Sequence, residues 1–118
     1  MHVDVRQADD VIIVDLTGRI VLGNPSQILH EVMDQLVAEG WKKIVLNLSA
    51  VEWIDSAGIG ELVAGTRMAQ RFGVDVRLVR VGDRVRHVLS ISRLLPLFQV
   101  FENEQEALRS FAGTDSTS

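Results

Sequence analysis

Apolar residues follow two rhythms along this chain. In Val11-Ile12-Ile13-Val14-Asp15-Leu16 and in Ile44-Val45-Leu46-Asn47-Leu48 they run almost unbroken and are rich in β-branched side chains. That is the pattern of short strands covered on at least one face. Elsewhere they return at helical spacing: Ile28, Leu29, Val32, Met33, Leu36 and Val37 form one stripe, and Ile59, Leu62, Val63, Thr66 and Ala69 a second. Residues 3–6 predict a strand pairing with the first run across a turn at residues 8–10. The first helix is expected to start at Asn24-Pro25-Ser26-Gln27, with Asn24 as cap, Pro25 at the first helical position and Gln27 reaching back, and to stop at Gly40.

A second helix is predicted over residues 57–72, ended by Gly73, and a further strand over 74–81. Strand, helix and strand within ~40 residues make a crossover unit with parallel strands. Asp83 is a candidate cap for a third helix reaching residue 92, with Val85, Val88 and Leu89 turned inward. Pro96 breaks the chain, residues 97–101 read as a short strand, and Asn103 with Glu106 resembles a capping box opening a last helix that carries Ala107, Leu108 and Phe111. The expectation is an α/β fold in a single domain over residues 1–112, with a mixed four- to five-stranded sheet and about four helices mainly on one side. The small polar residues 113–118 read as a frayed tail.

Composition narrows the functions. With 118 residues and 47% hydrophobic positions, one packed core is expected. No apolar run is long enough to span a bilayer, and residues 1–6 lack the organisation of a secretion signal, so no membrane insertion and a cytoplasmic location are expected. The absence of cysteine excludes disulfides, thiolate chemistry and Cys-based metal sites. A net charge of −4 disfavours nucleic-acid binding, and Arg77, Arg80, Arg84, Arg86 and Arg93 read as a solvated cationic face. His2, His30 and His87 share no metal-ligand spacing, with His30 on the polar side of its helix. Gly58-Ile59-Gly60 lacks the third glycine of a dinucleotide fingerprint and the Gly-Lys-Ser/Thr of a P-loop. No catalytic residue, metal or cofactor is therefore expected.

The most informative stretch is Val51-Glu52-Trp53-Ile54-Asp55-Ser56-Ala57-Gly58-Ile59-Gly60-Glu61-Leu62-Val63. It sets a hydroxyl where an apolar strand gives way to a helix, beside unpaired N–H groups and the positive end of the helix dipole. Ser56 can there be a plain N-cap, or a residue on which a phosphate is placed and removed. Two glycines in a first helical turn are unfavourable by up to about 1 kcal/mol each relative to alanine. Either they leave a bare backbone for a partner beside the serine, or they let the helix pack tightly on a neighbouring strand.

Three segments carry a family resemblance: Leu16-Thr17-Gly18-Arg19-Ile20, Ile44-Val45-Leu46-Asn47-Leu48, and Ile54-Asp55-Ser56-Ala57-Gly58-Ile59-Gly60. From about Val3 to Phe111 the chain resembles a STAS domain, the family of bacterial anti-sigma factor antagonists. The resemblance implies a sheet with helices packed on it, no catalysis by the domain itself, and Ser56 as the serine phosphorylated by a partner anti-sigma factor, a kinase that uses ATP. It also implies a serine phosphatase that resets Ser56. In many members the position three residues after the glycine matching Gly18 is an aspartate; here it is Val21.

On this reading, the surface of Asp55, Ser56, Ala57, Gly58, Gly60 and Glu61, with Val21, Gly23 and Asn24, binds the anti-sigma factor and so releases a sigma factor. Phosphorylation of Ser56 turns that binding off. The alternative is a non-switching scaffold or regulatory subunit of a sensory or transporter-associated complex, with Ser56 only a cap. Val21 favours that alternative and the intact Asp55-Ser56 pair opposes it. An exposed strand edge near the N-terminus leaves a monomer or a weak dimer as the expected state.

Overall fold

In the computed structural model, which describes residues 1–115 (side chains through Phe111), the central strand sets the architecture. The elements follow in the order β1 (His2–Ala8), β2 (Val11–Ile20), α1 (Asn24–Ala38), β3 (Lys43–Ile54), α2 (Ser56–Arg71), β4 (Asp75–Val79), α3 (Asp83–Ile91), a 3-10 turn (Leu95–Leu97), β5 (Val100–Phe101) and α4 (Glu104–Asp115). The five-stranded sheet has the order β1-β2-β3-β4-β5, with β1 antiparallel to β2 and every other pair parallel. This is the mixed α/β sheet expected from the hydrophobic pattern. Of the tail expected at 113–118, residues 116–118 lie outside the described residues.

Three successive crossovers step the same way across the sheet, and a constant right-handed connection puts their helices on one face. Leu29 and Met33 of α1, Leu62 and Ala69 of α2, and Val85 and Leu89 of α3 accordingly share a core with Ile12, Val14, Leu16, Ile44, Leu46 and Leu78. The alternate strand positions Val11, Ile13, Val45 and Val79 point the other way and are covered by Ala107 and Phe111 of α4. Central β3 is thus covered on both faces along Ile44–Leu48, which is why that run is continuously apolar. Beyond α4, Arg6 makes a forked pair with Asp15 (2.6 and 3.0 Å) and also donates to Glu104 at 2.7 Å. Arg6 holds the Asp15 carboxyl below its ordinary range, and Asn47 Nδ2 donates to the same carboxylate. No helix among the described residues is long and apolar enough to cross a membrane.

The boundaries differ from the sequence expectation in ways that matter for the site. Both β2 and β3 run further than their apolar cores. Thr17-Gly18 looks like a strand end, yet Gly18 adopts φ 107° beside a register shift, so β2 passes through a bulge and continues to Ile20. Likewise β3 crosses the small residues Ser49-Ala50 and resumes with buried Val51 and Ile54.

Asn24 is not the cap of α1. Gly23, at φ 102° and ψ −140°, takes that place in a conformation natural to glycine. Gly82, in extended backbone, takes the cap position of α3 and leaves Asp83 in the first turn. The strand expected at 97–101 shrinks to Val100–Phe101, because Pro96 initiates a 3-10 turn and buried Phe98 packs into the helix-side core. The expected Asn103 cap is present: Asn103 Oδ1 accepts from Glu106 N–H at 2.9 Å.

Candidate functional site

The extended register of β2 and β3 builds the site. Ile20 pairs with Ile54, so the β2–α1 loop and the start of α2 leave the carboxyl ends of adjacent parallel strands at one level. In open parallel sheets this is where loops converge on ligands or partners. The backbone then joins them: Asp55 N–H donates to Ile20 O at 3.2 Å.

Asp55, not Ser56, caps α2. Its Oδ1 accepts from Gly58 N–H at 2.9 Å, and its backbone is extended as an N-cap requires. The other carboxylate oxygen, Oδ2, accepts from Leu22 N–H at 3.0 Å. One side chain therefore starts the helix and latches the loop. Gly58 N–H first and Leu22 N–H second favour the charged form, holding the Asp55 carboxyl below its ordinary value of 3.8. Because the folded-state value is the lower one, the stabilisation is present above pH ~4 and is lost as pH falls through the folded-state value.

A substitution separates the two roles. Asparagine has a single acceptor oxygen, so Asp55→Asn is expected to keep the helix cap and release Leu22 N–H. Amide exchange at Leu22 should then accelerate roughly tenfold or more while α2 stays protected. Unchanged exchange at Leu22 would mean that something else holds the loop.

With Asp55 occupied as cap, Ser56 stands at the first helical position, exposed. Among the described residues no group takes a hydrogen bond from its hydroxyl or gives one to it. The two glycines behind it do different work. Gly58 is buried, and a Cβ there would lie 2.1 Å from Ile20 O and 2.8 Å from Ile54 Cγ1, so its bare Cα is what lets α2 sit against the end of β2. Gly60 is exposed, with open space where its Cβ would be. One helical turn from Ser56, it leaves the backbone bare on the same face.

The remaining expected partner-facing residues gather around this corner to different degrees. Val21 is half-buried, its carbonyl accepting from Ser26 N–H, while Gly23 and Asn24 are exposed at the entrance to α1. Ala57 is half-buried. Glu61 turns toward α1, where its carboxylate meets His30 Nδ1 at 3.0 Å; His30 Nε2 meets Asp34 at 3.1 Å. Leu22, within the expected binding loop from Ile20 to Asn24 but not singled out there, lies 77% exposed between Val21 and Gly23. An apolar residue just before Gly-Asn-Pro, outside any periodic stripe, was the available signal. Also unforeseen is an open groove of about 920 Å³ that starts at Ser56 and follows α2 past Gly60 and Val63. Among the described residues no group of three or more His, Asp or Glu side chains could hold a metal ion.

The STAS domain profile matches residues 2–107. This chain belongs to the STAS domain family. The STAS domain is 31% identical over 105 residues to a Thermotoga neapolitana protein whose name provisionally describes an anti-sigma factor antagonist; the match covers 89% of this chain and 93% of the relative. A crystal structure from Thermotoga maritima, of a protein given the same provisional description, has a TM-score of 0.84 at 28% identity and covers 92% of each chain. The phosphorylated form of Bacillus SpoIIAA, described as a cell fate determinant, shares the fold, with a TM-score of 0.71 at 17% identity over 93% of this chain and 99% of the other.

Proposed function

We propose that this STAS domain is an anti-sigma factor antagonist switched by phosphorylation of Ser56. Unmodified, the corner of Ser56, Gly60 and the Val21–Asn24 loop binds an anti-sigma factor, and the sigma factor that it held is released to direct transcription. The anti-sigma factor acts as a serine kinase with its own ATP, and a serine phosphatase returns Ser56 to the hydroxyl form. The domain itself performs no catalysis. The observation that carries this reading is the division of labour at the helix start: Asp55 does the capping, and the Ser56 hydroxyl beside it is exposed and unengaged. The descriptions of the Thermotoga proteins support the partner class, and a phosphorylated form of a protein with this fold supports the chemistry.

A phosphate on Ser56 brings roughly −1.5 to −2 charges at neutral pH. The positive end of the α2 dipole tolerates it in the free domain. A partner surface shaped for a hydroxyl would have to strip its water. Local charge and fit then suffice for switching, with no refolding. The scaffold alternative treats Ser56 as the cap of α2, a role that Asp55 already fills.

Intact-mass measurement on the protein isolated from its own cells, with the modified residue mapped, tests the reading. One phosphate on Ser56, absent from Ser56→Ala, is the expected result. An unmodified Ser56 under every growth condition would instead support a non-switching scaffold.

A further inference from the structure

The groove that begins at Ser56 ends on two arginines. Ser56, Gly60, Val63 and Arg67 follow one stripe of α2, with Arg71 a turn further on and Leu94 forming the opposite wall. Ser56 and Arg67 are eleven residues apart, about 16 Å along the helix. The lining contains Arg67 and Arg71 but no aspartate or glutamate, on a chain whose net charge is −4. Among the described residues neither arginine has an ion-pair or hydrogen-bond partner. Dipole compensation at the end of α2 accounts for Arg71, which lies in the last turn, but not for Arg67 a turn earlier.

A second observation comes from beside the groove. A recess there of about 40 Å³ is lined by Val63, Thr66, Arg67, Gln70, Leu97 and Phe98. Thr66 is 5% exposed, and among the described residues its Oγ1 has no hydrogen-bond partner. A buried hydroxyl in that condition is unfavourable until a polar atom reaches it. The groove thus offers apolar walls and two uncompensated cations in line with the phosphorylatable serine, and the recess beside it holds a buried hydroxyl.

Resting on the antagonist reading above, we propose that the Arg67–Arg71 end of the groove docks an acidic, apolar-faced segment of the anti-sigma factor. Its carboxylates pair with the two guanidiniums and its apolar face lies on Val63 and Leu94. The two ends of the groove then have separate duties. Arg67 and Arg71 contribute the same factor to affinity whatever the state of Ser56, because 16 Å exceeds the screening length of roughly 8 Å at physiological salt. Ser56 alone decides whether the partner stays.

The test uses the kinase that phosphorylates Ser56, titrated against wild type, the Arg67→Glu/Arg71→Glu double variant and the Arg67→Lys/Arg71→Lys double variant, each with and without Ser56→Asp. Both arginines are exposed, and thermal melts of the free domains check that each variant is folded. The double glutamate variant is expected to bind at least tenfold more weakly, by the same factor with Ser56 or Asp at position 56. The double lysine variant should retain most of the affinity, and raising salt from ~50 to ~300 mM should weaken wild type more than the double glutamate variant. Equal binding by the double glutamate variant, with the Ser56 dependence intact, would overturn this docking and leave the antagonist reading standing. Kinase binding that ignores both position 56 and the double glutamate change would sink both, and binding that ignores position 56 alone would sink the switch. Binding of wild type, but not of the double glutamate variant, to vesicles of about one-third anionic lipid, with kinase binding unaffected, would reassign the groove to a membrane surface.

Discussion

Ser56→Asp is expected to bind the anti-sigma factor about a hundredfold more weakly than wild type, while Ser56→Ala binds at wild-type strength under all conditions. A hundredfold is ~2.7 kcal/mol, a modest demand on a charge that must lose its water against a surface fitted to a hydroxyl. The free domain should not suffer. An acid in the first turn of a helix is favourable by about 0.3–1 kcal/mol, so Ser56→Asp should melt no lower than wild type. That separates a binding defect from a folding defect in a single pair of measurements, titration calorimetry and a thermal melt. If Ser56→Asp and Ser56→Ala both bound as wild type does, phosphorylation could not be the switch.

Gly58→Ala and Gly60→Ala are expected to move stability in opposite directions. At Gly58 the new methyl would sit 2.1 Å from the Ile20 carbonyl oxygen, a backbone atom that no side-chain rotation can relieve. Overpacking of this kind costs about 3 kcal/mol, against a gain of up to about 1 kcal/mol in helix propensity, for a net loss of about 2 kcal/mol or more. At Gly60 nothing lies within 4 Å of the added methyl, so the propensity gain stands alone and the melting temperature should rise by a few degrees. If Gly60 serves to keep the partner close, that more stable variant should also bind less tightly. Equal melting temperatures for the two variants would contradict the close approach of α2 to the end of β2.

The sequence made much of this visible, and what it hid has identifiable causes. The unbroken run Ile44–Leu48 and the stripe from Ile28 to Val37 are consequences of burial, so they predicted a central strand and its covering helix directly. Strand ends were less visible, because Thr17-Gly18 and Ser49-Ala50 look like turns when the bulge that absorbs Gly18 depends on the partner strand. Caps failed where a glycine at positive φ or in extended backbone displaced the polar candidate, as Gly23 did for Asn24 and Gly82 for Asp83.

At the site, Asp55 and Ser56 are adjacent and equally able to cap, so no local rule chooses between them. The choice comes from Leu22 N–H, which is 33 residues away along the chain and gives the aspartate a second bond. The glycine pair shows the same limit: tight packing on a neighbouring strand holds for Gly58, and at Gly60 the backbone lies bare. That assignment depended on where the Ile20 carbonyl lies.

The latch from Asp55 to the Leu22 amide has a bearing on timing. Because the loop is already tied to the helix start, and both leave strands hydrogen-bonded to one another, the proposed switch at Ser56 requires no segment to travel or reorganise. The response time of such a switch would then be set by the proposed kinase and phosphatase. Between those events, the record of the last stimulus would persist for the lifetime of one covalent bond.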